Sequence, residues 1–380
     1  MHNSPQGTHA NTISLMLGHP DPATLLSEEF LDTANRVLSS PALALGALQY
    51  GKEQGSAGLI EYLVGKINRE QSLSLSAENL MIAAGSTHAV DMIARLYARS
   101  GSVIVEAPTY ADALHIFRDH DLPLYGVPMD DSGVIVADFA ALLERLAETD
   151  HPARIFYTIP NFHNPSGRTL AQDRRVEIAK LAQRYGVTVV EDDVYRDLAF
   201  EPPLPSSFLA LDVNAIQIGS FSKTLAPGLR LGWIAASAQT ISAFVNCGTT
   251  QMGGGASPLS AQIVAEYCRA GLWEPHVQAL RKLYQMRRDL LLNALDRYMP
   301  SEVTWTQPAG GFFIWLTLPE RLLGREVKAR ALERGVLVSA GEGYFINPMD
   351  GAHHLRLTYS FAPPAEIDKA AQILAEIVSV

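Results

Sequence analysis

The stretch Gly219–Trp233, GSFSKTLAPGLRLGW, decides how this chain reads. It begins at the end of one apolar run, AIQIGS, and finishes inside another, LGWIAA. Between them Lys223 stands among small hydroxyl residues, seven positions before Arg230. It is the only lysine between Lys180 and Lys282, so it belongs to no general pattern of solvated charge. An isolated amine just past a buried strand implies a specific use for that amine.

Outward from this stretch, short apolar runs alternate with amphipathic ones. LMIAAG reads as a buried strand, THAVDMIARLYARS as a helix, and SVIVEAP, ARIFYTIP, VTVVED, AIQIGS and LGWIAA as further strands. In AQDRRVEIAKLAQRYG, residues Ile178, Leu181, Ala182 and Tyr185 recur at helical spacing, and Gly186 supplies the stop. Apolar strands alternating with helices predict a mostly parallel sheet covered on both faces. Such sheets bind ligands beyond the carboxyl ends of their strands. Polar clusters fall at five of those ends: GSTH, PTY, NFHNPSG, EDDVY and SFSK. After Ser257 the texture changes to long helices, a strand pair in VTWTQPAGGFFIWLTL, two short strands ending in HLRLTYSF, and a closing helix from Ala365. This predicts a smaller α+β unit, with the first ~40 residues packed on it rather than forming a domain of their own.

Composition narrows the function classes. With 380 residues and 47% hydrophobic content, the chain can bury a large core without staples. A formal charge of −10 opposes general attraction to nucleic acid or anionic lipid, so phosphate binding must be local. Cys247 and Cys268 are the only cysteines, without CxxC or nearby histidines, which indicates neither a disulfide framework nor a metal site. No apolar run reaches the ~20 residues that cross a bilayer, and no leader pattern opens the chain, so a soluble cytoplasmic protein is expected.

If the five strand ends converge, one crevice holds the Lys223 amine, the Arg230 guanidinium, the hydroxyls of Ser86, Thr87, Ser220 and Ser222, and the N–H groups opening the THAVDM helix. Hydroxyls, a forked cation and a helix N-terminus together suit a phosphate dianion. GxxxxGK[ST] is absent and no GxGxxG follows a strand, which argues against a P-loop and a nicotinamide dehydrogenase. Asp192 ends an apolar strand between Glu191 and Asp193, where an unpaired buried carboxylate is costly, so one of these acids needs a cationic partner. A Schiff-base amine, a phosphate cradle and a carboxylate for a protonated ring nitrogen are what pyridoxal 5′-phosphate requires.

These motifs resemble, in order and spacing from about Gly18 to the C-terminus, those of fold-type-I pyridoxal-phosphate enzymes of the class I/II aminotransferase family. The similarity is greatest to the branch of 2-aminoadipate and kynurenine aminotransferases and the enzyme-like portion of MocR regulators. It implies an α/β fold of the aspartate aminotransferase-like type, with a mostly parallel sheet in a large cofactor domain at 41–280. A smaller α+β domain would be built from 1–40 and 281–380. SxSKxxxPGxRxG implies Lys223 as the Schiff-base lysine and proton carrier, with Ser220, Ser222 and Arg230 on the phosphate. DxxY implies Asp192 on the ring nitrogen and Tyr195 on the phenolic oxygen, which Asn164 of NPSG shares. EAPTY places Tyr110 on the ring face, and GST places Ser86 and Thr87 at the phosphate. LQYG implies a homodimer in which Tyr50 reaches the neighbouring subunit's phosphate. LRLTYS implies Arg356 on the substrate α-carboxylate, assisted by Asn164 and the backbone at Gly18.

The activity so implied is transfer of an amino group between an L-amino acid and a 2-oxo acid. A lyase, decarboxylase or cyclase on the same fold is the alternative, and a regulator is disfavoured because no basic helix-turn-helix precedes the domain. Two departures bear on substrate. No Lys or Arg precedes Arg36, so the N-terminal arginine with which relatives grip a second carboxylate is missing. His163 stands where that branch usually has glutamine, and His19 where it has an apolar residue. These substitutions predict a mouth rich in imidazole and a specialised substrate, with His163 either an acid/base group or a tolerated polar neighbour.

Overall fold

The computed structural model describes residues 12–97, 101–211 and 214–379. The first eleven residues of the expected small unit, and residues 98–100 of the expected THAVDMIARLYARS helix, lie outside them. The described chain enters through a two-residue strand, β1 (Ile13–Ser14). Eight strands then form the main sheet: β2 (Leu80–Ala83), β3 (Ser102–Ala107), β4 (Leu124–Asp130), β5 (Gly133–Val134), β6 (Ala153–Thr158), β7 (Thr188–Asp192), β8 (Ile216–Ser220) and β9 (Gly232–Ala235). Their spatial order is β2-β9-β8-β7-β6-β3-β4-β5.

The pairs β8–β7, β7–β6, β6–β3 and β3–β4 are parallel, whereas β9 runs antiparallel to both β2 and β8. Reversing direction twice across β9 leaves β2 pointing the same way as β8, β7, β6 and β3. The carboxyl ends of those five strands therefore share one edge, and all five polar clusters hang from it.

Alternation sorts the strand residues onto two faces. On one, Val105, Tyr157, Val190 and Ile218 join the core under helices Ser86–Tyr97 and Ala111–Asp119. On the other, Ile104, Phe156 and Val189 pack with Phe139, Ile178 and Ala182 of helices Val136–Ala147 and Gln172–Tyr185. The predicted apolar face of the latter helix is the one it buries, and it ends at Gly186 in the left-handed conformation, φ 66°.

After the 26-residue helix Trp273–Tyr298 come β10 (Thr304–Trp305), β11 (Phe313–Thr317), β12 (Val336–Leu337), β13 (Ser339–Ala340) and β14 (His354–Thr358). β10-β11-β14-β13 make an antiparallel four-stranded sheet, and β12 pairs in parallel with β1. Within residues 12–40, the two ends meet different parts of the chain that follows Ser257. β1 lies against β12, and Asp21 bonds Arg287 and Tyr284 of the long helix. Helix Glu28–Ser39 instead docks on helix Pro258–Arg269, with Val37 against Ile263. Its apolar face is short and amphipathic, so it buries against the nearest complementary helix instead of following the strand ahead of it.

Candidate active site

Lys223 leaves the sheet three residues past β8. Phe221, fully buried against Trp233 and Trp273, pins the loop, so Lys223 two positions on emerges at the carboxyl edge. Its Nζ donates to the Gly18 carbonyl at 2.9 Å and lies 5.9 Å from the ring centres of Tyr195 and Phe312. Burial, reinforced by the Arg356 charge, pulls this amine down to about 8 against the opposing fields of Asp192 and Asp112.

All three acids of EDD are buried, and the pleat separates them. Glu191 faces Arg175 on the far side of the sheet and accepts from the Phe208 N–H and Gln217. Asp193 is engaged by Asn161 at 2.6 Å and Arg196 at 3.1 Å. Asp192 alone takes the face of Lys223. Its Oδ2 accepts from the Tyr157 hydroxyl at 2.6 Å, while Oδ1 is buried without a hydrogen-bond partner among the described residues. Burial pushes the Asp192 carboxyl up to about 6, although the Tyr157 hydrogen bond and the Lys223 charge act to lower it.

Tyr195 is buried, edge-on to Phe312 and Phe313, and burial pushes its hydroxyl upward, so it stays protonated. Tyr110 opens the helix Ala111–Asp119 and donates to Asp112 at 2.6 Å. Arg356 rises from β14 between Trp315 of β11 and Ser339 of β13. It donates to Asn164 Oδ1 at 2.9 Å and to the Met16 carbonyl at 2.8 Å, and its guanidinium sits 4.4 Å and 5.1 Å from the rings of Phe313 and Tyr344. Met16 belongs to a row of carbonyls that faces the site. Leu17 accepts from Thr358, Gly18 from Lys223, and His19 from Ser360.

At the other end of the edge, Ser86 and Thr87 form the first turn of helix Ser86–Tyr97. Gly85 precedes it at φ +88°, and a Cβ there would stand 2.6 Å from Arg230 Nη2. Arg230 is exposed, its own backbone at φ 50°, and among the described residues its side chain makes only long bonds, to the Pro227 and Ala84 carbonyls at 3.3 and 3.5 Å. Ser220 Oγ accepts from the Ser222 N–H at 3.0 Å. Gly232 of β9 also comes close: a side chain there would meet Ser86 N at 3.0 Å.

The expected imidazole-rich mouth is corrected. His163 is buried, its Nε2 2.9 Å from Glu106 and its Nδ1 2.8 Å from Ser166, so it braces the loop that carries Asn164. Of the two, His19 is the exposed one, where burial and then the charges of Lys223 and Arg356 hold its pKa below the usual imidazole value. Tyr50 is not brought to this site within the chain and is 89% exposed. Sequence reasoning misses Tyr157, Phe313 and Tyr344. Each reads as an ordinary core aromatic, and only the strand register and the pairing of β11 with β14 aim them at charged groups.

The class I and II aminotransferase model matches residues 15–374. Aromatic-amino-acid aminotransferase 1 of Thermococcus litoralis is 33% identical over 97% of this chain and 88% of its own length. A crystal structure of Pyrococcus horikoshii kynurenine aminotransferase in complex with PMP superposes with a TM-score of 0.91 at 34% identity, covering 98% of this chain and 91% of that one. The α-aminoadipate aminotransferase LysN of Thermus thermophilus, complexed with N-(5′-phosphopyridoxyl)-L-leucine, gives 0.87 at 29% identity, covering 98% and 93%. These likenesses, found for a chain that brings Lys223 and Asp192 at the edge of one sheet within reach of Arg356 from the other, show that it belongs to the class I and II aminotransferases and is a pyridoxal-phosphate-dependent transaminase.

Proposed function

We propose that Lys223 is the amine through which this transaminase works, moving an amino group between an L-amino acid and a 2-oxo acid. One observation carries the assignment: Lys223, with an amine drawn down to about 8, lies where the fields of Asp192 and Arg356 both reach it. An amine near neutrality exchanges protons in both directions at physiological pH, which one at the ordinary value near ~10.4 does poorly.

The residues fit the cofactor. The buried, unpaired Oδ1 of Asp192 lacks the partner that a protonated ring nitrogen provides. The first turn of helix Ser86–Tyr97, with Ser86, Thr87, Ser220, Ser222 and the uncommitted Arg230, offers a phosphate cradle. When bound, pyridoxal phosphate supplies an electron sink conjugated to the substrate Cα. Tyr110 would cover its ring face, and Tyr195 and Asn164 would hold its phenolic oxygen. Arg356, with Asn164 and the Gly18 backbone, would hold the substrate α-carboxylate, and Lys223 Nζ would take up and return the Cα proton.

The substrate side chain is uncharged and large. No Lys or Arg lies between residues 12 and 35, whereas Phe313 and Tyr344 flank the Arg356 guanidinium and Tyr195 and Phe312 lie 5.9 Å from Lys223 Nζ. Aromatic amino acids, named for the Thermococcus relative, are the first to assay. The working form is a homodimer: Tyr50, Leu48 and Met252 are strongly exposed around an open pocket of about 610 Å³, and Tyr50 serves the partner's phosphate. Residues 41–280 form the cofactor domain, and 281–380, joined by the N-terminal segment through Asp21, the smaller one. No helix among the described residues is long and apolar enough to cross a membrane, and both cysteines are free, which supports a cytoplasmic location.

The experiment is borohydride reduction of cofactor-saturated protein followed by peptide mapping. The expected result is a phosphopyridoxyl tag on Lys223 and, in Lys223→Ala, loss of the tag with turnover lowered by roughly 10⁴-fold. A tag elsewhere, or full turnover in the variant, overturns the assignment.

A further inference from the structure

Asp192 and Tyr157 reach each other through the register of two parallel strands. Tyr157 of β6 is the partner of Val190 on β7, so Asp192, two residues further, projects from the same face one step along the diagonal. Tyrosine is long enough to close that diagonal, and the result is the 2.6 Å bond to Oδ2. The phenol has no freedom to do otherwise. Tyr157 is fully buried, its ring lies edge-on to Phe117 at 5.6 Å, and its hydroxyl makes this bond in a region without solvent. A carboxylate with two equivalent oxygens can rotate about its Cβ–Cγ bond and present either one. Here one oxygen is committed to Tyr157 and the other has no partner among the described residues.

From this geometry we propose that Tyr157 is the positioning residue for Asp192: its hydroxyl holds Oδ2 so that Oδ1 alone is presented to the cofactor ring nitrogen. The proposal rests on the reading of Asp192 as the ring-nitrogen partner. Tyr157 acts only through Asp192 and touches neither substrate nor cofactor. Burial, and then the Asp192 charge, push its own titration well above the ordinary phenol value, so it remains a donor throughout the working pH range. The bond also opposes the effect of burial on Asp192, favouring the ionised form that a protonated ring needs. Other charged or titratable groups face Asp192 from the neighbouring elements: Lys223 after β8, Glu106 on β3, Asp193 beside it, and Tyr110 and Tyr195 from the loops. All remain in place when the Tyr157 hydroxyl alone is removed.

The test is a double-mutant cycle of Tyr157→Phe and Asp192→Asn, which keeps the ring packed on Phe117 and the carboxamide isosteric. Three readouts apply: the dissociation constant of pyridoxal phosphate from the apoprotein, the titration of Asp192 in the apoprotein by isotope-edited infrared spectroscopy, and the pH profile of turnover. Tyr157→Phe alone is expected to weaken cofactor binding about tenfold, as loss of a hydrogen bond to a charged group does. It should also move the Asp192 titration to higher pH, and the acid limb of the turnover profile with it. In the Asp192→Asn background the same change is expected to have no further effect on cofactor affinity.

Equal losses in both backgrounds would make Tyr157 a packing residue and overturn the proposal, as would an unmoved Asp192 titration. If Asp192→Asn itself leaves cofactor affinity and turnover intact, the fault lies in the reading of Asp192. That result is distinct from a damaging Asp192→Asn beside a silent Tyr157→Phe.

Discussion

Two arginines mark the two ends of the site, and they are held in opposite ways. Arg356 is buried, donates to Asn164 and to the Met16 carbonyl, and is sandwiched between Phe313 and Tyr344. Arg230 is exposed and, among the described residues, makes only long bonds to backbone carbonyls. The planar guanidinium is fixed in space at the first end and left uncommitted at the second. The contrast suits their proposed partners. A substrate that comes and goes each cycle is best met by a preorganised group, because ordering a side chain on every arrival lowers affinity. A resident phosphate dianion can order its own ligand once and keep it.

Breaking the buried end should have the largest effect. Arg356→Ala is expected to lower kcat/KM for amino acids by about 10³-fold, since it strips a cation from a desolvated, hydrogen-bonded setting, while leaving cofactor affinity unchanged. Steady-state kinetics beside a cofactor titration would reveal the split. Arg230→Ala should invert the pattern, with cofactor affinity down about 10- to 100-fold, activity recovered by excess cofactor and KM for the amino acid intact. If both variants lose both properties, the two ends are not separable and the comparison fails.

A smaller effect comes from pH. The Lys223 amine is lowered to about 8, so its free base is present above that pH and lost below it. Capture of pyridoxal phosphate by the apoprotein should therefore slow by about tenfold per pH unit below 8 and level off above it. Stopped-flow absorbance follows this directly, and an onset near 10 would contradict the buried setting of the amine. The smallest change belongs to Tyr50→Phe. Loss of one exposed hydroxyl should weaken cofactor binding a fewfold, and only in the dimer, as a titration across the dissociation range measured by ultracentrifugation would show.

Much of the architecture is legible in the residues because buried parallel strands read as unbroken apolar runs. LMIA, SVIVEA, VTVV and AIQIG could scarcely be anything else. β4 escapes notice because LYGVPMD carries Gly126 and Pro128 and lies half-buried near the edge, where the apolar signal weakens. Strand order is invisible to local pattern, and so is the reversal of β9. Which of Glu191, Asp192 and Asp193 shares a face with Tyr157 is a matter of parity, visible only when β7 is laid against β6 and β8. Tyr157 is hidden for the same reason, since IFYT is a core sequence until its register points one phenol at an acid 35 positions away. Which helix receives Glu28–Ser39 is likewise invisible to local pattern, because its partner, Pro258–Arg269, is more than two hundred residues distant.

The row of carbonyls at residues 16–19 has a consequence of its own. Three of its donors, Arg356, Thr358 and Ser360, come from one strand and its exit, while the fourth is Lys223. On the role proposed for Lys223, an amine that leaves Gly18 would cost this row one clasp and leave it three. Residues 16–19 are thus tied to a side chain 205 positions downstream by one bond that the other three do not depend on. The same peptide that accepts from the lysine here would stay in place with the amine engaged elsewhere, still held by β14 and its exit.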